Sequence, residues 1–309
     1  MVRLPGNPII QPGMDARIGS NINGPSLIRV PDWIEGALGR YYLYFADHKG
    51  DHIRLAYADS LGGPWTVHTA GSLHLAESLF PTAREQLDPQ DPLSRRLVEG
   101  GWLIPHIASP DVHVDTERRE IRMYYHGLLP NGLQRTRVAL SHDGQQFKAR
   151  PEILARSYLR TFPFEGAHYG LAMPGVLYRS SDGISGFEEG PQLFPDDMRH
   201  AAVSRTDQEL RVFWSRVGDT PEHILCSRIP LKGDWSGWSA SDPEDVLLPE
   251  EPWEGADLPL SPSVRGYALE RMRQLRDPGI FEEAGRTYLL YSIAGESGIA
   301  IAELHVEPE

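Results

Sequence analysis

The chain contains a single cysteine, Cys226. That excludes an internal disulfide and any cysteine-built zinc site. Cys226 lies in the alternating run His223-Ile224-Leu225-Cys226-Ser227-Arg228-Ile229, so it reads as a small buried thiol rather than a nucleophile. Long apolar runs are missing too: no stretch approaches the roughly 18 residues of a membrane span. The opening Met1-Val2-Arg3-Leu4-Pro5-Gly6 has no apolar signal segment, from which a cytoplasmic location is expected. Positive charge is in deficit. With 30 Lys and Arg against 43 Asp and Glu, the formal net charge is −13, and the basic surface that nucleic acid needs is excluded. No histidine pair has the helical spacing of a zinc site, since His48 and His52 flank a strand–loop junction. No cofactor is expected, and a cation inside a central channel stays an open alternative.

What is present is turns and aromatics. The 30 Gly, 26 Pro and 7 Trp point to many short strands joined by tight turns, and the strands repeat. The clearest copy runs Asp277–Phe281, the turn Glu283–Arg286, Tyr288–Ser292, the loop Ala294–Ser297 and then Ile299–Leu304. The first copy is Pro25–Val30, Tyr41–Phe45, the loop His48–Asp51 and Ile53–Ala58. The second is Pro110–Val114, Ile121–Tyr125 and Arg137–Ser141. The fourth is His200–Val203, Leu210–Trp214 and Ile224–Ile229. The third, Arg160–Phe162, His168–Ala172 and Val176–Arg179, is the weakest.

Outer strands follow at Pro151–Leu154, Pro191–Phe194 and Asp245–Leu248. The last copy lacks one, and Asn7–Pro12 has the right shape to supply it. Closing a ring this way removes an exposed sheet edge. The pattern predicts an all-β, five-bladed β-propeller in one domain over residues 1–309, with a pair of β-sandwiches as the alternative. Trp65, Trp235 and Trp238 recur at equivalent turns and read as packing residues. Trp33 reads as a lid or an interface, and 85–96 is an excursion between blades.

In a propeller, the start of each inner strand and the loop between strands two and three open on one face. Alignment puts Asp277 and His200 at equivalent strand heads, with Asp111 two places further along its own strand. Arg160, Arg199 and Arg276 lie at or beside heads. Loops on that face add His48, Asp51, His126, Arg216, Asp219, Glu222 and Glu296, and the long connection before the last blade adds Glu254. Convergent acids, histidines and arginines suit a polar ligand. Glu165 of Phe164-Glu165-Gly166 aligns instead with a turn on the opposite face.

Leu275-Arg276-Asp277-Pro278-Gly279-Ile280-Phe281, continued by Gly285–Ser292, resembles the blade signature of glycoside hydrolase family 43, as does Ala108-Ser109-Pro110-Asp111-Val112. The blade pattern spans nearly the whole chain. The resemblance, shared with families 32, 62 and 117, implies a five-bladed propeller that cleaves sugar linkages. It implies a carboxylate base, a second, tuning carboxylate and a proton donor. Asp277 matches the Asp-Pro head, and Asp111 matches the Pro-Asp of blade two as a supporting carboxylate. His200 is the expected acid, as family 117 is similar in using a histidine. Glu254 or Glu222 is the alternative acid.

His48, His126, Arg199, Arg216, Glu222 and Arg276 are expected substrate contacts. The arginines either pair with acids or, if free, suit a carboxylated or sulfated sugar. Two departures from family 43 stand out. Blade one begins Asn23-Gly24-Pro25 without an aspartate, and no Glu-Gly-Pro opens a later blade.

The expected function is therefore hydrolysis of a small or terminal sugar unit of an oligosaccharide by acid–base chemistry at the channel mouth. A non-catalytic carbohydrate-binding propeller is the alternative, and a protein scaffold would need an apolar mouth. The expected partner is a small carbohydrate, with neither nucleic acid nor membrane, and the oligomeric state is left open.

Overall fold

The computed structural model describes residues 1–48 and 50–305. Lys49, in the expected His48–Asp51 loop, lies outside them. The strands form five antiparallel sheets. Blade one comprises Asn23–Arg29, Tyr41–Ala46, His52–Ala58 and Thr66–His74. Blade two comprises Ile107–Asp115, Glu120–Leu128 and Gln134–Ser141, its outer edge divided between Lys148–Ala149 and Ala155–Arg156. Arg160–Phe164, Ala167–Ala172, Val176–Ser180 and Glu188–Gln192 make blade three. Met198–Arg205, Glu209–Arg216, Ile224–Pro230 and Glu244–Leu247 make blade four. Arg276–Glu283, Arg286–Ser292 and Ile299–Leu304 belong to blade five, which Val2–Arg3 completes.

The five-bladed propeller follows from how the middle strands are buried. Along Tyr41–Ala46 successive side chains point to opposite faces. Tyr42 and Tyr44 enter a core shared with Ile121, Met123 and Tyr125 of blade two. Tyr41, Leu43 and Phe45 enter another, shared with Phe281, Tyr288 and Leu290 of blade five. All six residues are buried, which explains a continuous apolar run where a one-sided sheet would alternate. Val212 and Trp214 likewise face blade three while Phe213 faces blade five. Trp65 and Trp238 fill blade interfaces, with Trp235 packed beside Trp238's cluster. Trp33 packs against the core between blades one and two. Cys226 is buried, and burial pushes its thiol up to about 11.

Three details differ from expectation. Blade one has a fourth strand, Thr66–His74, whose polar sequence TVHTAGSLH carries no apolar alternation to mark it. In blade two the expected Pro151–Leu154 gives way to the two short pairings on either side of it, because Pro151 has no N–H for a ladder. The excursion 85–96 contributes to a helix, Pro92–Glu99, whose Asp91 cap accepts from the Ser94 N–H at 2.8 Å. Glu165 lies in the first hairpin turn of blade three, at φ +47°. No helix among the described residues is long and apolar enough to cross a membrane.

Ring closure uses more of the N-terminus than the expected Asn7–Pro12. Val2 and Arg3 pair with Glu303 and Ala302, and Ile10 adds a single bridge to Ile299. Between them the Asn7 side chain imitates a strand: its Nδ2 donates to the Ile301 carbonyl at 2.8 Å, and its Oδ1 accepts from the Ile301 N–H at 2.9 Å. Glu254, expected at the mouth, is engaged in this closure instead. Arg3 donates to both of its oxygens at 2.8 Å, Tyr291 donates at 2.8 Å, and the Glu250 and Glu251 N–H groups donate at 2.9 and 3.1 Å. A carboxylate with its acceptor sites filled and no solvent exposure is an anchor, not an acid poised for substrate.

Glu254→Ala leaves Arg3 and Tyr291 without their acceptor. It is expected to lower unfolding stability by about 2–3 kcal/mol in urea denaturation, less than a fully buried pair because Arg3 keeps some water contact. An unchanged denaturation midpoint would contradict the anchoring role.

Candidate active site

Four of the five inner strands enter the mouth through the same distortion. Their pairing slips between Asn23 and Ser26, Ala108 and Asp111, Met198 and Ala201, and Arg276 and Gly279. A bulge of this kind bends the strand and re-aims a side chain. Three of the bulges hold a left-handed residue before a proline: Gly24 at φ +61°, Ser109 at +53° and Asp277 at +49°. For a residue with a side chain this costs on the order of 1–3 kcal/mol and persists where the surroundings impose it. Blade one avoids the strain with glycine. There a Cβ would stand 3.1 Å from the Ser109 Cα, so the aspartate missing from Asn23-Gly24-Pro25 has no room without a backbone shift.

The heads of blades four and five meet as expected. His200 Nδ1 stands 2.8 Å from Asp277 Oδ1, a short polar contact whose angle falls outside a regular hydrogen bond. Burial pulls the His200 pKa below its ordinary value despite the attraction of Asp277. Burial favours protonation of Asp277, but the neighbouring imidazole outweighs it and the carboxyl is held below its usual range.

Across the mouth, His48 Nδ1 lies 2.9 Å from Glu296 Oε2, and its Nε2 lies 3.1 Å from the Tyr158 hydroxyl. Burial opposes charge on His48, yet Glu296 prevails and the pKa is raised. Glu296 is held far below its ordinary value by His48 and Arg276, against the pull of burial. The His48 and His200 rings are 6.4 Å apart, with the Tyr158 ring 4.7 Å from His200.

The arginines are not free. Arg276 donates to Glu296 Oε1 at 2.9 Å and pairs with Glu222 Oε2 at 2.8 Å; it also donates to Gln274. Arg199 reaches Glu222 at 3.3 Å and the Val264 and Gly266 carbonyls at 2.8 Å each. Glu222 further accepts from Ser215 and Ser263, both at 2.7 Å. Arg216 pairs with Asp219 at 2.9 Å on the half-exposed rim, and Asp51 pairs with His52 in solvent.

Asp111 departs from expectation. The first paired residue after the bulge and two places beyond Ser109, it lies along the channel wall in a cavity of about 350 Å³ shared with Leu27, His113, Val203 and Phe281. Its Oδ2 accepts from the Thr161 N–H at 2.9 Å and lies 2.8 Å from His113 Nε2. Arg160 stands beside it, fixed by the Ser109, Pro110 and Ala201 carbonyls at 3.2, 2.9 and 2.7 Å. No direct contact joins Asp111 to His200 or Asp277 among the described residues.

His126 is buried with neither ring nitrogen hydrogen-bonded among the described residues. Its ring lies 4.4 Å from Tyr158 and 5.6 Å from His106. Burial drives both histidines toward the neutral form, His106 down to about 4. Buried polar groups nearly always find partners. Unpaired atoms on His106, Ser109, His126 and Arg160 are therefore polar groups that a hydroxylated ligand or water would satisfy. Among the described residues, no three His, Cys, Asp or Glu side chains form a group that could hold a metal ion.

Tyr158, at φ +60°, was not anticipated, and Ser157-Tyr158-Leu159 carries no local signal of its role. Neither was the cover. His200 and Asp277 are only 2% and 1% exposed, because the connection between blades four and five folds over them. Ser263 and the backbone of Val264 and Gly266 bond to Glu222 and Arg199, and the Tyr267 ring lies 6.2 Å from His48.

The sequence matches no protein-family model. It is 34% identical to the uncharacterized protein R118 of Acanthamoeba polyphaga mimivirus, over 98% of this chain and 90% of that protein. Solved structures share the fold at low identity. A thermostable family-43 glycoside hydrolase superposes with a TM-score of 0.60 at 14% identity, covering 99% of this chain and 94% of its own. RS223-β-xylosidase gives 0.58 at 14%, covering 94% of each chain. The GH43_1 enzyme of Xanthomonas citri complexed with xylotriose gives 0.56 at 13%, covering 93% of this chain and 88% of its own.

Arg199→Lys keeps the charge but loses the planar fork that holds two carbonyls. Backbone amide exchange across 260–270 is expected to accelerate by about tenfold or more, with the blade strands unaffected. Equal exchange in both proteins would show that the cover is held by something else.

Proposed function

The chain belongs to one family with the mimivirus protein R118, and from the geometry of its mouth we propose that it is a glycoside hydrolase removing a terminal sugar unit from a small oligosaccharide. The observation that carries this reading is the pair of dyads, His200–Asp277 and His48–Glu296, facing one another across 6.4 Å. Hydrolysis with inversion needs an acid and a base with room for water between them, about 6.5–9.5 Å for paired carboxyl groups. The propeller likeness to family-43 enzymes supports the same reading.

The directions of the pKa shifts support a division of labour opposite to the one expected from sequence. His48, raised by Glu296, keeps its proton and serves as the acid. His200, lowered by burial, is neutral and serves as the base. With Nδ1 turned to Asp277, His200 receives a proton from water at Nε2. The water oxygen bonds to the anomeric carbon as the glycosidic C–O bond breaks. The departing oxygen takes a proton from the Tyr158 hydroxyl, which His48 Nε2, 3.1 Å away, replaces with its own, and Asp277 steadies the imidazolium formed on His200. Arg276 and Glu222 position Glu296 and the cover without meeting substrate.

One observation favours a non-catalytic sugar-binding propeller instead. The blade-one head is Gly24, which lacks the carboxylate that the family pattern carries there and where even a Cβ would press on the Ser109 Cα at 3.1 Å.

Turnover of a panel of aryl glycosides separates the two readings. His200→Ala and Asp277→Asn are each expected to lower kcat by about 10²–10⁴-fold. The pH profile should be a bell. Activity falls as pH drops through the lowered His200 pKa and protonates the base. It falls again as pH rises through the raised His48 pKa and removes the acid. Asp277→Asn, which takes away a charge favouring the imidazolium, should move the acidic limb to lower pH. Full turnover in both variants would refute the assignment.

A further inference from the structure

Three buried side chains beside the mouth carry polar atoms with no partner among the described residues. His106, just before the inner strand of blade two, turns Nδ1 to the Ile104 carbonyl at 2.6 Å. A carbonyl only accepts, so Nδ1 carries the ring proton and Nε2 presents a bare lone pair. His126, opposite Ala108 on the middle strand of that blade, has neither nitrogen bonded. It therefore offers one N–H and one lone pair, whichever tautomer forms. Arg160 uses Nε and Nη1 on three carbonyls and keeps Nη2 without a partner. The three residues are 5%, 1% and 3% exposed.

Their place is fixed and close to the reacting groups. A Cβ on Gly127 would stand 2.9 Å from the His106 carbonyl oxygen and 2.6 Å from the Phe80 ring. Glycine beside His126 is what lets both pack there. The His126 ring lies 4.4 Å from Tyr158 and 5.6 Å from His106, and the Tyr158 ring lies 4.7 Å from His200. Burial, together with charge on His48, keeps both imidazoles neutral, and charge on Arg160 and His200 acts on His126 as well. Each ring thus retains its lone pair.

The unmatched set is one acceptor on His106, one donor on Arg160 and one of each on His126. A carboxylate or sulfate only accepts and an ammonium only donates, so none of these matches it. A hydroxyl does both, and a sugar ring holds several hydroxyls on one rigid frame. We propose that His106 and His126, with Arg160 Nη2, form a hydroxyl-recognition subsite beside Tyr158, where the glycoside must present a free hydroxyl to the lone pair of His106. The inference rests on the glycosidase reading of the mouth and names the groups on the sugar that the mouth reads.

The test is ¹⁵N NMR of histidine-labelled protein titrated with xylose, arabinose, glucose and galactose, beside turnover of their 4-nitrophenyl glycosides. At least one sugar should shift the His106 Nε2 and His126 resonances. One member of that sugar's monodeoxy series should bind about tenfold more weakly or worse, because a buried group loses its partner. His126→Phe removes two unmatched atoms and keeps the ring, so Tm should hold or rise while the parent sugar weakens by about tenfold. In that variant the gap between parent and deoxy sugar should narrow. Cleavage of a glycoside with no shift at either histidine refutes the subsite and leaves the hydrolase reading. Shifts without cleavage of any glycoside refute the hydrolase reading and leave the subsite. Neither shifts nor cleavage refutes both. A lower Tm in His126→Phe with sugar affinity unchanged assigns these atoms to buried water and overturns the proposal.

Discussion

A guanidinium buried at the head of an inner strand holds the mouth together. Arg276 sits between Glu222 of blade four's loop and Glu296 of blade five's loop. Taking three charged groups out of water is tolerable only where geometry and further hydrogen bonds compensate, and here the compensation reaches outward in both directions. Through Glu296 it sets the charge and orientation of His48. Through Glu222, Ser263 and Arg199 it fastens the cover. One buried ion is therefore bonded both to the carboxylate beside His48 and to the carboxylate that holds the cover.

The fold was legible in the sequence because its signal is repetitive. Tyr41–Phe45 and the Tyr288–Tyr291 stretch are middle-strand segments that read as unbroken apolar runs, and Leu210–Trp214 is one interrupted only by the half-buried Arg211. The outer strands were less legible. Thr66–His74 is half exposed and follows no period. Val2–Arg3 is too short to show one, and the Asn7 side chain replaces a backbone pairing that no sequence pattern encodes.

The site divides along the same line. Asp277 and His200 were found because equivalent positions in equivalent blades must converge. Asp111 lies on the channel wall because it stands two places beyond Ser109, which holds the position in its bulge that Asp277 holds in blade five. Glu254 was misplaced because its partner, Arg3, lies 251 positions away. Tyr158 and the cover depend on a left-handed φ and on carbonyl acceptors, neither of which a residue name reveals. The roles of the two histidines needed burial and charge together: His48 and His200 are both buried beside carboxylates, yet their pKa values move in opposite directions.

¹⁵N NMR of the imidazole nitrogens tests that opposition without any substrate. On titration His48 should hold protons on both nitrogens to a higher pH than His200 does. A charged His200 facing a neutral His48 would contradict it.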